Sequence, residues 1–236
     1  GRQDWNGGQP YALGVALLPL VERAIQEVRA GHHGDGRRPV SVVVLGGCGV
    51  TAALAARLGC AVVVVEPRGL VRKLLQQVFE DNGLVIALAE APPVDADVVV
   101  WEGIDDDTIL ELGHLPVIRN LLKEGLKQGR APPRLVPLRL HIHAAPVDYG
   151  LPRVRGCDLS RFDRLRGFEL PLPHRWPRGA CHLEPRLQAA PQHTWEIALD
   201  RLAAEPELHM HQLGLTFAVD DGAPVNGVAF WASAPE

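Results

Sequence analysis

The stretch SVVVLGGCGVTAALAARLGCAVVVVEP, from Ser41 to Pro67, constrains the fold of this chain more than any other. A run of valines lies near each end, and such continuous apolar runs are typical of strands that are buried on both faces. Between the runs lie a glycine turn and an alanine-rich segment long enough for a short helix. The order strand, turn, helix, strand predicts half of a nucleotide-binding unit with parallel strands.

Strand-like and helix-like segments continue to alternate on both sides of this unit, which predicts an α/β fold with a parallel sheet and helices on both faces. The apolar residues within 10–30 recur at helical spacing, so this segment is predicted to be an amphipathic helix. The other predicted elements are strands at Val42–Leu45, Ala61–Val65, Val85–Ala89 and Asp97–Trp101, helices at Val50–Leu58, Leu70–Asn82 and Leu115–Gln128, and an extended stretch at Arg134–Ala144.

The composition changes near Asp148, where segments rich in proline and arginine begin. Beyond them, the segments HTWEIALDRL, HMHQLGLTFAVD and APVNGVAFWASA are strand-like, several with alternating polarity, and Asp220–Gly222 is a hairpin signal. We therefore expect a Rossmann-type α/β domain over residues 1–146 and a mostly β, barrel-like domain over residues 147–236.

Charge and composition exclude several classes of partner and site. The 236 residues carry a formal net charge of −4, which gives no basic footprint for nucleic acid. No apolar run approaches the ~18–20 residues that a membrane span needs. The four cysteines have no short zinc-site spacing, so we expect no metal and free thiols in a reducing, cytoplasmic or nuclear compartment.

Three residues of the first βαβ unit are suited to bind an adenosine-like group. Gly47 and Gly49 permit backbone N–H groups to approach a ligand closely, since a Cβ there would collide with it or forbid the turn. Glu66 follows the next strand, where a carboxylate can accept hydrogen bonds from both hydroxyls of a ribose. The alternative is a tight turn before a helix, with one solvated glutamate.

A pair of glutamates follows the strand that ends at Trp101. Glu102 comes directly after it, and Glu111 lies nine positions further on, across a loop. Ligands of parallel α/β sheets bind outside the carboxyl ends of the strands, and two carboxylates there could clamp a guanidinium group. The alternative is a solvated acidic loop, which Asp105–Asp107 favours. A divalent-metal site has less support, because nothing in the pattern sets a ligand geometry.

In order and spacing, these motifs resemble those of the protein arginine methyltransferases, most closely the members with two tandem modules. Gly47 and Gly49 match two glycines of that family's cofactor turn, and Glu66 matches its ribose-binding acid. Glu102 and Glu111 match its double-glutamate loop. The segments GHLPVIRNLLKEGL, PRLVPLRLHIHAAPV, GCDLSRFDRLR and VNGVAFW are similar to the helix and strands that lead into and form its β-barrel.

The resemblance implies an S-adenosylmethionine-dependent methyltransferase domain followed by a β-barrel that serves substrate binding and dimerisation. It implies methyl transfer to an arginine guanidinium, with Glu102 and Glu111 as catalytic residues. Gly47, Gly49, Glu66 and Glu90 would bind the cofactor, Glu90 through the adenine. The implied partners are an arginine-containing protein substrate and a second copy, a tandem module or a larger complex.

The chain departs from the family pattern in five places. Leu45 stands where the family has an acid before the glycines, and Thr51 stands in place of the third glycine. Gly103 and Ile104 stand where the family has a methionine beside the double-glutamate loop. The N-terminal segment does not match the family's helix that closes over the cofactor. It also has no match to the arginine that pairs with the carboxylate of the cofactor. The Thr-His-Trp loop that should follow the last strand is missing, and HTW at His193–Trp195 has similar letters in the wrong place.

These departures lead us to expect a pseudoenzyme-like module with weak or absent activity on its own. One alternative is a non-catalytic structural or docking subunit of a larger assembly or tandem protein. A second is a small-molecule methyltransferase with a β extension, against which the Glu102–Glu111 pair argues.

Overall fold

A computed structural model describes the chain in segments: residues 12–31, 38–93, 95–102, 113–148, 186–204, 216–220, 222, 225 and 227–234. Within them lie four α-helices, α1 (Ala12–Gly31), α2 (Val50–Arg57), α3 (Gly69–Asp81) and α4 (His114–Lys127). The described strands are β1 (Ser41–Leu45), β2 (Ala61–Val65), β3 (Ala87–Ala89), β4 (Val98–Trp101), β5 (Arg134–Val136), β6 (Arg139–Asp148), β7 (Arg186–Leu187), β8 (Gln192–Ala198) and β9 (Gly227–Ser233).

The first five strands form one parallel sheet in the order β3-β2-β1-β4-β5. In the register of this sheet, Leu45 at the end of β1 lies opposite Val65 of β2 and Trp101 of β4. The chain moves outward from β1 to β2 in one direction and from β4 to β5 in the other. Because such crossovers are right-handed, α2 and α4 cover opposite faces of the sheet. The order therefore reverses between β1 and β4, the position at which open α/β sheets bind ligands.

The valine runs fill the core because both faces of the sheet are covered. Alternate side chains of β1, β2 and β4 share one apolar cluster with α1, α2 and α3, and Leu17, Val21 and Ile25 of α1 are fully buried in it. Leu75 and Phe79 of α3 complete this layer. Leu115 and Ile118 of α4 are also buried.

A second sheet has the order β7-β6-β8, and β9 also pairs with β6. Its β6–β7 pair is antiparallel, with Val147 opposite Leu187. By internal contacts, the described residues within 9–140, 196–210 and 233–236 form one compact unit, and those within 141–195 and 211–232 form another. The predicted boundary near residue 146 stays a prediction.

The predicted fold class, an α/β parallel-sheet part followed by β structure, is confirmed. The extended stretch Arg134–Ala144 is two strands, β5 and the start of β6, in different sheets. The predicted strand HTWEIALDRL is a strand only as far as Ala198, after which Leu199–Arg201 form a 3₁₀ turn. Of HMHQLGLTFAVD, residues 216–220 are not in a strand, and the rest lies outside the described residues. No helix in the described part of the chain is long and apolar enough to cross a membrane.

Candidate functional site

The predicted site residues that the structure describes follow four neighbouring strands at the carboxyl-terminal edge of the parallel sheet: Gly47 and Gly49 follow β1, Glu66 follows β2, Glu90 follows β3 and Glu102 follows β4. The backbone N–H of Gly46 donates to Val65 O at 3.4 Å, that of Glu66 to Ala89 O at 3.0 Å, and that of Glu102 to Leu45 O at 3.1 Å. These bonds extend the ladders by one residue beyond the strands. The glycine turn, Glu66 and Glu102 thus lie at adjacent strand tips, while Glu111 lies outside the described residues.

The glycine turn, residues 46–49, depends on a left-handed backbone conformation that residues with a side chain rarely adopt. Gly46, Gly47 and Gly49 have φ of 71°, 76° and 81°. Gly49 is the residue before α2, and a Cβ there would lie 2.8 Å from the Phe79 ring of α3. The turn is therefore fixed both by its backbone conformation and by the helix packed against it.

The Glu102 carboxylate lies inside this turn. Its Oε2 accepts the backbone N–H of Cys48 at 3.2 Å. Its Oε1 accepts the backbone N–H of Thr51 at 3.1 Å and the hydroxyl of Thr51. Since Thr51 is the second residue of α2, Glu102 satisfies one of the N–H groups that a helix leaves unpaired at its start, and it also binds the N–H of Cys48 in the turn before the helix.

Gly47 provides the space for this carboxylate. A Cβ built on Gly47 would lie 1.8 Å from Glu102 Oε2 and 2.5 Å from Glu102 Cβ. Any side chain at residue 47 would therefore collide with Glu102. The hollow that a nucleotide-like ligand would approach holds a side chain of the protein itself.

Burial sets the electrostatics of Glu102. The residue is only 3% exposed. Desolvation raises the pKa of its carboxyl group, although the hydrogen bonds from Thr51 and Cys48 act in the opposite direction. Burial also raises the pKa of the Cys48 thiol, and the charge of Glu102 adds to that effect.

Glu66 is also buried and already paired. Its Oε1 accepts the backbone N–H of Arg68 at 2.8 Å and the Arg68 Nε–H at 2.7 Å, and its Oε2 accepts Arg68 Nη2 at 2.8 Å. Burial opposes the ionisation of Glu66, but the hydrogen bonds and charge of Arg68 and the charge of His114 outweigh it, so the pKa of Glu66 is lowered.

Glu90 lies at the surface, where Arg72 binds it. Arg72 Nη2 is 2.6 Å from Glu90 Oε1, and the Glu90 side chain is 75% exposed. Arg72 Nη1 donates to the carbonyls of Glu66 at 2.8 Å and Pro67 at 2.9 Å. The arginines at the start of α3 thus bind both acids that the sequence assigns to the nucleoside.

Four polar side chains are buried among the described residues: Thr51, Glu66, Glu102 and His114. The first three follow β1, β2 and β4, and His114 begins α4, the helix that leads from β4 to β5. Burying a polar side chain reduces stability unless the side chain is hydrogen-bonded. A few polar side chains gathered at one edge of a sheet are typical of a ligand site. No group of three or more potential metal ligands occurs in the part of the chain that the structure describes.

Sequence reasoning missed the roles of Arg68, Thr51 and His114. The spacing Glu66-x-Arg68 after a strand was a usable signal, since a carboxylate can bind a backbone N–H and a guanidinium two residues on. The sequence pattern presents Thr51 only as the replacement of a glycine, whereas its hydroxyl is a donor to Glu102. His114 carried no signal beyond its place before an apolar helical pattern.

Comparisons with known proteins give structural similarity only. No protein-family model and no curated protein sequence matches the chain. A crystal structure of PRMT6 aligns at 23% identity and a TM-score of 0.45, covering 81% of this chain and 67% of that one. PRMT6 with SAH aligns at 19% identity and a TM-score of 0.45, covering 80% and 66%. The Trypanosoma brucei PRMT1 enzyme–prozyme heterotetrameric complex with AdoHcy aligns at 15% and 0.38, covering 84% and 64%.

The chain spans about two thirds of the length of each of these structures. Identity this low leaves the role of each residue to be argued from the geometry of this protein. That geometry does not fit S-adenosylmethionine as it stands, because Glu102 fills the hollow at Gly47 and bonds to the donors of the turn.

Proposed function

We propose that the chain is a protein arginine methyltransferase-like module that binds S-adenosylmethionine weakly and transfers little or no methyl by itself. The proposal combines the sequence resemblance with a parallel sheet whose order reverses beside the glycine turn. The observation that carries it is the internal pairing of both key acids, Glu66 with Arg68 and Glu102 with the turn.

Internal pairing weakens binding because a ligand must first displace the partner already present. Only the difference between the two sets of contacts then contributes to affinity. A ribose on Glu66 competes with the two guanidinium bonds from Arg68, and a group entering the turn competes with the Glu102 carboxylate. The departures at Leu45 and Thr51 support the same conclusion.

A non-catalytic structural or docking role, in a tandem protein or a larger assembly, agrees with these features. One face of α3 carries exposed apolar side chains, Leu70, Leu74 and Val78, at 73%, 59% and 49% exposure. They recur every four residues and therefore form one stripe along the helix. Apolar stripes on a surface are common where another protein binds.

Titration calorimetry with S-adenosylmethionine tests the proposed function. We expect weak but measurable binding to the wild-type chain. Replacing Glu66 with Ala should weaken it further by ~1–3 kcal/mol, the scale of hydrogen bonds to a charged group. Glu80→Ala on the exposed side of α3 is the control and should leave the affinity unchanged. Equal affinity for the wild type and Glu66→Ala would remove Glu66 from the site.

A further inference from the structure

We infer that the Glu102 carboxylate is a latch: it occupies the glycine turn in place of a ligand and must leave before a ligand binds. Thr51 determines how strongly the carboxylate is held in the turn. The inference rests on the proposed function, because the competing ligand is taken to be an S-adenosyl compound. It goes further by assigning a regulatory contact within the chain and a positioning role to Thr51.

The contacts of the carboxylate are those of a bound ligand. Both oxygens are used, one by Cys48 N–H at 3.2 Å and the other by Thr51 N–H at 3.1 Å and the Thr51 hydroxyl. Every donor belongs to the turn or the first turn of α2. A carboxylate held this way mimics an anionic group of a ligand at the start of a helix.

The geometry at Gly47 is the reason to infer that the Glu102 carboxylate and a ligand exclude each other. Glu102 Oε2 occupies the volume of the missing side chain of Gly47, at 1.8 Å from the ideal Cβ position. A ligand group approaching the backbone at Gly47 closely enough to benefit from the glycine would overlap the carboxylate. The turn therefore has two alternative occupants, and binding requires that Glu102 leave.

Thr51 contributes two of the three bonds, and only the hydroxyl bond depends on the identity of its side chain. Valine has the same shape without the hydroxyl, and serine keeps the hydroxyl without the methyl. Thr51→Val should therefore loosen the latch with little change in packing, while Thr51→Ser should retain it. Thr51 acts through Glu102, so it is a positioning residue.

The experiment measures the latch and the ligand separately, in wild type, Thr51→Val, Thr51→Ser and Glu102→Ala. Amide hydrogen exchange at Cys48 and Thr51, without ligand, reports the latch. Calorimetry with S-adenosylhomocysteine reports the competition. In Thr51→Val and Glu102→Ala we expect faster exchange at both amides. Affinity should rise about tenfold or more, the equivalent of one hydrogen bond to a charged group. Thr51→Ser should match the wild type in both measurements.

Three results would overturn the latch, and they differ in what they say of the proposed function. Unchanged amide exchange in Glu102→Ala means that the carboxylate does not hold the turn in solution. Faster exchange with affinity equal to or below that of a wild type that binds means that latch and ligand do not compete, and the proposed function stands. Faster exchange with no binding by any of the four chains overturns both proposals.

Discussion

At the scale of single residues, the pKa values of the two buried glutamates are shifted in opposite directions. Glu66 is bound to a guanidinium, which lowers its pKa, whereas Glu102 receives only neutral donors in a buried turn, which leaves its pKa raised. A lowered folded-state pKa contributes stability that is present above the unfolded pKa and is lost as the pH falls through the folded pKa. A raised one contributes stability that is present below the unfolded pKa and is lost as the pH rises through the folded pKa.

The first prediction follows from these signs. Relative to Glu66→Gln, the wild type should gain free energy of unfolding as the pH rises through the acid range up to the ordinary carboxyl pKa. Relative to Glu102→Gln, it should lose free energy of unfolding as the pH rises above that value. Urea unfolding of the three chains across pH 3–8, about one pH unit apart, checks this, since each unit of pKa shift corresponds to about 1.4 kcal/mol. Parallel pH profiles for the two variants would contradict the assignment.

The second prediction concerns Gly47. Gly47→Ala introduces both a left-handed alanine and a collision with Glu102, so it should destabilise the fold more than Gly59→Ala. Gly59 is the matched control, because its φ is also 76° and nothing lies within 4 Å of its ideal Cβ. Adding Glu102→Ala should recover part of the Gly47→Ala loss, with a coupling of ~0.5–3 kcal/mol in thermal unfolding. Strict additivity of the two changes would place Glu102 elsewhere in solution.

At the scale of the elements, α3 connects the core to the glycine turn. Its buried face presents Leu75 and Phe79 to the core, and the Phe79 ring stands against Gly49. Its first turn supplies Arg72, which binds Glu90 and two carbonyls after β2. The position of α3 therefore sets the shape of the turn from one side.

The third prediction compares neighbouring residues of that helix. Phe79→Ala should lower the free energy of unfolding by ~3–5 kcal/mol, because it empties a buried aromatic site beside the turn. Val78→Ala, at a position that is 49% exposed, should change it by at most about 0.5 kcal/mol. Denaturant unfolding monitored by circular dichroism measures both. Similar losses for the two variants would mean that α3 does not pack as described.

Strands β1 to β4 of the parallel sheet were predictable from the sequence because they lie in continuous apolar runs between glycine-rich turns and helical patterns. The positions of Gly47, Glu66 and Glu102 at strand tips followed from the same pattern. Their partners did not follow, since whether Glu66 meets a ribose or Arg68, and whether Glu102 faces a guanidinium or Thr51, depends on side-chain rotamers. The split of Arg134–Ala144 into two strands was also invisible, because an extended stretch shows no change of period where it leaves one sheet for another.

At the scale of the whole molecule, the buried polar side chains of the described residues lie at the carboxyl-terminal edge of the parallel sheet. Methyl transfer needs cofactor and guanidinium held to within about half an ångström. Side chains that are already bound to one another cannot provide that alignment until they are released. The fold and its catalytic readiness are therefore separate properties of this chain.

The fourth prediction is that the purified chain transfers little or no radiolabelled methyl from S-adenosylmethionine to arginine-rich peptides. The physical reason is that each acid is already bound within the chain, Glu66 by Arg68 and Glu102 by the glycine turn. Glu102→Gln serves as the control for contaminating activity, since any residual signal should be the same in that variant. Robust turnover that disappears in Glu102→Gln would refute the prediction and establish the chain as an active enzyme.

The collision at Gly47 has a consequence for how such sequences change over time. A glycine in a nucleotide-type turn is usually taken as evidence that a ligand still visits it. Here the same missing Cβ accommodates a carboxylate of the protein itself, and an alanine would disturb the folded chain whether or not any ligand exists. Purifying selection on stability alone would keep Gly47 in a lineage that had lost its cofactor. The presence of Gly47 alone therefore does not indicate whether a ligand binds the turn.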